Sequence, residues 1–245
     1  LLLGAIKGSL ENFSRDPVSF MLPTFLYPIF MAITLGASVG VLLLMFLLFT
    51  SVGADAEITL IVLGIVGAIL LVINLILSAG YKGAFWEGLY NALRAQPVGV
   101  VSYMNYAFKN CLQFFVISLV KMVVMGFFVT PLVLIYYFLD LGTVHEALSY
   151  VFAIIALFEM FIIEFLFAFA FIAYVEKKVK PFSAILISLN FVKDANVKAI
   201  LVYTFYVLVV LSNAVPLLNI VMYFVFYPIA ASSLIRFFEK ESTGY

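Results

Sequence analysis

Charge-free stretches alternate with short charged ones along this chain. Residues 17–54 carry no charge and end at Asp55 and Glu57, and residues 58–81 carry none before Lys82, Glu87 and Arg94. Residues 110–139 hold only Lys121 before Asp140, His145 and Glu146. Residues 147–175 hold only Glu159 and Glu164 before the Glu-Lys-Lys-Val-Lys run at 176–180. Residues 199–235 are again free of charge. A helix crosses the hydrocarbon core with about 20 apolar residues, so the last stretch is too long for one crossing. Asn213-Ala-Val-Pro-Leu-Leu-Asn219 supplies a turn there, with Pro216 as the breaker. The pattern therefore predicts an all-α polytopic bundle, one transmembrane domain over residues 1–245. Its six helices form three hairpins, roughly 17–81, 110–175 and 195–238.

Each hairpin has an amphipathic lead-in, roughly 1–16, 81–109 and 180–194. Leu3, Ile6, Leu10 and Phe13 fall on one helical face opposite Lys7, Glu11 and Ser14, and Phe182, Ile185, Leu189 and Val192 repeat the spacing. These segments read as interfacial helices. Ser-Leu-Glu-Asn-Phe-Ser-Arg-Asp at 9–16 and Ser-Leu-Asn-Phe-Val-Lys-Asp at 188–194 align once Glu11 is removed, with a looser copy, Asn-Tyr-Ala-Phe-Lys-Asn, at 105–110. An ancient triplication explains this. So does the common chemistry of a helix start: Asp16, Asn110 and Asp194 can accept from free N–H groups, and Pro17 suits a first helical position. Arg15, Lys109 and Lys193 then sit where lipid phosphates lie, as candidate headgroup contacts. Trp86, the only tryptophan, is expected at the membrane interface.

Composition sharpens this picture. Of 245 residues 66% are apolar and 11% charged, against about 25% charged in soluble domains; mean hydropathy is +1.23. Such a chain needs lipid as a solvent, so the bilayer is its first partner. Thirteen basic and thirteen acidic residues cancel, leaving no basic face for nucleic acid. One cysteine, Cys111, and one histidine, His145, argue against a disulfide, a metal site or a metal cofactor. The charged opening residues lack the pattern of a cleavable signal. Twelve of the thirteen basic residues fall on one side of the six-helix plan, the exception being Lys121. That bias places both termini in the cytoplasm of a cell-membrane protein.

Chemistry concentrates on Lys121. If the third and fourth helices turn near residues 140–146, Lys121 and Glu164 are equidistant from a point between 142 and 143 and share a depth. An unpaired lysine at mid-membrane costs about 3 kcal/mol on insertion scales, and a carboxylate removes much of that. Glu159 lies five residues from Glu164, about 7.5 Å further out and turned by about 140°, so one lysine cannot readily serve both. It is either a buried neutral acid or part of a proton or cation relay. Ser118 and Asn74 are the nearby polar candidates. Pro23, Pro28 and Pro228 either kink helices around a substrate site or are repaired by neighbours. Gly36-Ala-Ser-Val-Gly40 reads as a close-packing G-x-x-x-G; as a nucleophile elbow it lacks a strand and a triad partner.

The ramp SLENFSRDPVSFMLP, the segment FAFAFIAYVEKKVKPFSAILISLNFVKDANVKA and the ending VPLLNIVMYFVFYPIAASSLIRFFE carry a resemblance. The chain resembles uncharacterised prokaryotic six-helix membrane proteins similar to the membrane domain of some glycerophosphodiester phosphodiesterases. The catalytic domain of those enzymes, with its histidines and acidic metal ligands, has no counterpart here. The resemblance implies the fold and an accessory role near lipids or export machinery, not an enzyme. Three functions stay open: a transport-associated protein with a midplane polar site, a membrane scaffold or accessory subunit with a partner chain or a second copy, and a lipid-interacting module.

Overall fold

The computed structural model describes residues 2–138, 146–212 and 219–242. The predicted turns near 140–146 and 213–219 fall almost wholly outside the described residues. The helices are α1 Leu2–Arg15, α2 Pro17–Ser51, α3 Ala56–Leu93, α4 Val100–Phe138, α5 Glu146–Phe167, α6 Ala170–Lys177, α7 Pro181–Ser212 and α8 Asn219–Glu241. The described residues are all-α with no strand. Helices α2, α3, α4, α8 and the pair α5–α6 are long and apolar enough to cross a membrane. The halves of α7, Pro181–Ala195 and Val197–Ser212, meet at 110° and make a sixth crossing if counted together. Large apolar side chains stay open to the surroundings, with Leu71 62% and Phe127 75% exposed. That much bare apolar surface is stable only in lipid, so the chain is a multi-pass integral membrane protein.

The chain divides into two compact units. In the first, residues 15–115, α2 packs along α3 and the start of α4 closes on α3. Asp16 caps α2 by accepting from the Ser19 N–H at 3.2 Å, with Pro17 in the first turn, as expected. Those Ser19 bonds, through its side chain first and its backbone second, hold the Asp16 carboxyl below its ordinary value. Leu26, Tyr81, Ala84, Tyr103 and Ala107 form a core. The Tyr103 hydroxyl donates to the Tyr81 carbonyl at 2.8 Å, and Phe30 stacks on both rings. Close approach comes from Gly80 and Gly83: a Cβ there would overlap the Ala107 carbonyl and Cys111, or the Phe114 ring.

Several expectations change here. Gly36 and Gly40 face open space, so they are not the packing motif. Trp86 is only 4% exposed and packs edge-on against Phe85, so it belongs to the core and not to an interface anchor. Asn110 lies inside α4 and donates to the Tyr106 carbonyl, so it caps nothing. The lead-in at 81–109 is no separate helix: α3 runs on to Leu93 and α4 starts at Val100. The break comes only at Gln96-Pro97-Val98-Gly99, where the ring of Pro97 disfavours a continuing helix.

The second unit holds residues 1–14 and 116–245. Its core is aromatic: Phe169, Phe191, Phe237 and Phe238 are buried together, with the closest ring centroids 4.7 Å apart. Ala184, Ile185, Ser188, Phe191 and Val192 form the inward face of the first half of α7, whereas Phe182 is exposed. Ser188 is in that row because α5 breaks into α6 beside it. Its hydroxyl donates at 2.7 Å to the Leu166 carbonyl, at the end of the interrupted helix. Within α8, Met222–Phe226 is π-helical and the Tyr227 N–H bonds the Met222 carbonyl. Pro228 follows, with no N–H to hold the normal register.

Candidate functional site

The α4–α5 pair brings Lys121 and Glu164 together. The Lys121 ammonium donates to Glu164 Oε1 at 2.6 Å. Further along the same helices, the Tyr136 and Ser149 hydroxyls lie 3.3 Å apart. Both pairs are centred on the same point between residues 142 and 143, which is the signature of one antiparallel register. The Lys121 side chain is 15% exposed and that of Glu164 is 42% exposed. The cation is thus sheltered by its own hairpin, while the carboxylate has an open flank.

Glu159 is half-buried, and its Oε2 is enclosed without a hydrogen-bond partner. In the same register the residue at its level on α4 is Gly126, where a Cβ would meet open space. Just beyond, a mostly apolar cavity of about 400 Å³ runs between α4 and α5 from Tyr136 and Ser149 to Ala156. Ala156 is one turn from Glu159. Tyr136 and Ser149, the cavity, Glu159 and the Lys121–Glu164 pair therefore follow one another along the hairpin.

On its other flank the hairpin meets α7. Tyr203, 5% exposed, packs on Phe161 and Phe165, with centroids 5.4 and 5.2 Å away, on either side of Glu164 in sequence. From there tyrosines continue onto α8. Tyr203 contacts Tyr206, the Tyr206 and Tyr227 hydroxyls are 3.3 Å apart, and Tyr223 stacks on Tyr227 with an interplanar angle of 5°. The stack begins in the π-helical segment. Tyr203, Tyr206 and Tyr223 belong to no motif in the sequence, and Tyr227 belongs only to the triplet Tyr227-Pro228-Ile229. Their spacings of three and four residues would have placed each pair on one helix face.

The other predicted residues do not join this group. Ser118 is half-buried one turn from Lys121. Asn74 belongs to the first unit, where its amide donates to Ser38 Oγ at 2.7 Å and to the Leu70 carbonyl. Arg15 ends α1, Lys109 lies in α4 and Lys193 precedes the bend in α7; all three are exposed. Among the described residues, no group of three His, Cys, Asp or Glu side chains could hold a metal ion.

Comparison with family models, curated proteins and solved structures finds no match. Function therefore rests on the geometry alone. An ammonium and a carboxylate at hydrogen-bond distance resist separation in low dielectric. An adjacent carboxyl without a partner can exchange a proton or receive a cation. An apolar cavity with a hydroxyl pair at its far end supplies room for an approaching group.

Proposed function

We propose that this is a transport-associated multi-pass protein of the cell membrane, with Lys121, Glu159 and Glu164 as its midplane polar site. The observation that carries this reading is the unpartnered Glu159 oxygen, one helical turn from Ala156 at the end of the α4–α5 cavity and about one turn and a half outward from a closed ion pair. A carboxyl so placed is costly to keep in a membrane without a role, and intramembrane carboxyls mark proton and ion paths. In this mechanism Glu159 takes up the proton or cation from the cavity side. Beneath it the Lys121–Glu164 pair stays closed at 2.6 Å, so the Lys121 ammonium is occupied by Glu164 and Glu159 is left as the acceptor for the arriving charge. The basic side of the bundle, with both termini, faces the cytoplasm under the positive-inside bias. No enzymatic step is part of this reading.

The test is proton flux into proteoliposomes of the purified chain, read by an encapsulated pH dye under an imposed membrane potential. Wild type is expected to conduct or exchange protons, and Glu159→Gln to lower the rate by about tenfold or more, the scale at which a 1.4 kcal/mol change registers. Unchanged flux in Glu159→Gln would remove the proposal.

One observation favours a second reading. The 2.6 Å pair is complete without any ligand, as a staple joining α4 and α5 would be. The half-open flank of Glu164 then suits a partner membrane subunit or a second copy of this chain. Absence of flux in wild type together with a stable oligomer would select it.

A further inference from the structure

We infer that Arg236, Gly8 and Ser9 form a binding site for a phosphate group where the apolar part of α8 ends. The inference is independent of the transport reading. Arg236 closes the charge-free stretch that begins after Lys198, so its guanidinium stands at the level of lipid phosphates. It is half-buried, yet its Nε is enclosed with no hydrogen-bond partner. No described carboxylate pairs with it: on α8 the Glu241 carboxylate instead meets Lys198 at 3.5 Å. The hydroxyls one turn back, Ser232 and Ser233, are turned to the Ile229 carbonyl.

The guanidinium rests on α1 at Gly8, where any Cβ would overlap it. The next residue, Ser9, is fully buried, and its hydroxyl also has no partner. Both orphaned groups can donate. What this place lacks is an acceptor, and it needs several acceptor lone pairs close together. An unsatisfied buried donor costs about 1–3 kcal/mol, and here one lies on α8 and another on α1, next in sequence to the glycine on which the guanidinium rests. A phosphate oxygen fork matches a guanidinium bidentately and leaves a further oxygen for a hydroxyl. Gly8 is the residue that lets the guanidinium lie against the backbone of α1. The exposed Leu3 and Leu10 on the same helix provide apolar contact for acyl chains.

The shared chemistry is a phosphate, carried by a phospholipid headgroup or free in solution. Native mass spectrometry of the purified full chain separates the two sources. Three probes are titrated: dioleoylphosphatidylglycerol, dioleoylglycerol without phosphate, and inorganic phosphate. Preferential retention of the phospholipid over the diacylglycerol, lowered at least tenfold by Arg236→Gln and by Gly8→Leu and about threefold by Ser9→Ala, assigns the site to lipid. Retention of inorganic phosphate with the same losses assigns it to a soluble phosphate. Arg236→Lys keeps the charge but not the fork and is expected to recover only part of the binding. Lys240→Gln, at an exposed lysine one turn on, is expected to leave retention unchanged. Equal retention by wild type and Arg236→Gln overturns the proposal, as does an equal loss in Lys240→Gln. Melting of each variant in lipid-free detergent confirms that it has folded.

Discussion

Lys121 costs the chain free energy wherever it meets lipid, and Glu164 is the group that offsets this. Lys121→Ala is expected to lower stability in detergent melts by about 1–3 kcal/mol, less than for a fully buried pair, because the Glu164 side chain is 42% exposed. This pair was legible in the sequence because antiparallel helices place residues equidistant from a turn at one depth, and no second cation was available. The tyrosines were legible only as pairs on one helix face, by their spacing; which face turns inward was not. Helices that are apolar all round carry no polar stripe to show which face Tyr203 or Tyr206 turns inward. The π-helical turn at Met222–Phe226 also rotates Tyr223 relative to any register read from an ideal helix. Asp16 provides a residue-scale test of pH dependence. Its carboxyl is held below the ordinary value by Ser19, so its cap contributes fully above the unfolded-state value and is lost as pH falls through the lowered one. The protection of the Ser19 amide, taken relative to its intrinsic exchange rate at each pH, is expected to fall over that acidic window in wild type, and to lose this pH response in Asp16→Asn.

Helix α3 shows which element-level signals were misread. It continues through Gly80, Gly83 and Gly88, although each glycine costs about 1 kcal/mol relative to alanine in a helix interior. The cost is offset because neighbours approach there: α4 at Gly80 and Gly83, with the Phe114 ring occupying the space a side chain on Gly83 would need, and Pro23 of α2 at Gly88. The G-x-x-x-G at Gly36 had the better-known spacing, but nothing stands opposite it. Spacing names a face that could pack; only a neighbour makes it do so. Gly83→Leu is therefore expected to destabilise by at least about 2 kcal/mol through overpacking. Gly36→Leu is expected to stay within about 0.5 kcal/mol. Thermal melting of the two variants side by side decides this, and equal losses would count against the α3–α4 contact. The lead-ins at 1–16 and 180–194 were visible as amphipathic segments. The one at 81–109 was misplaced because the only strong breaker, Pro97, lies in its middle.

At the scale of the molecule, membrane class followed from composition, and the number of crossings turns on α7. Its halves meet at 110°. Counting its two halves together as one crossing gives six and puts both termini on one side; leaving α7 out gives five and separates them. Cysteines placed singly at Ser14, Ser51, Lys178 and Lys240 in a Cys111→Ser background resolve this with a membrane-impermeant thiol reagent. The expected pattern is labelling of Ser51 from outside intact cells and protection of the other three. Labelling at Lys240 alongside Ser51 would establish an odd count. Both functional readings, transport and scaffold, depend on the hairpin in which Lys121 meets Glu164. A charge-exchange cycle tests that hairpin most directly, by melting wild type, Lys121→Glu, Glu164→Lys and the double variant under one lipid and detergent condition. The expected result is two destabilised single variants and a double variant that recovers stability, with a coupling of about 1–3 kcal/mol. A double variant whose loss equals the sum of the two single losses would show that the two groups do not meet.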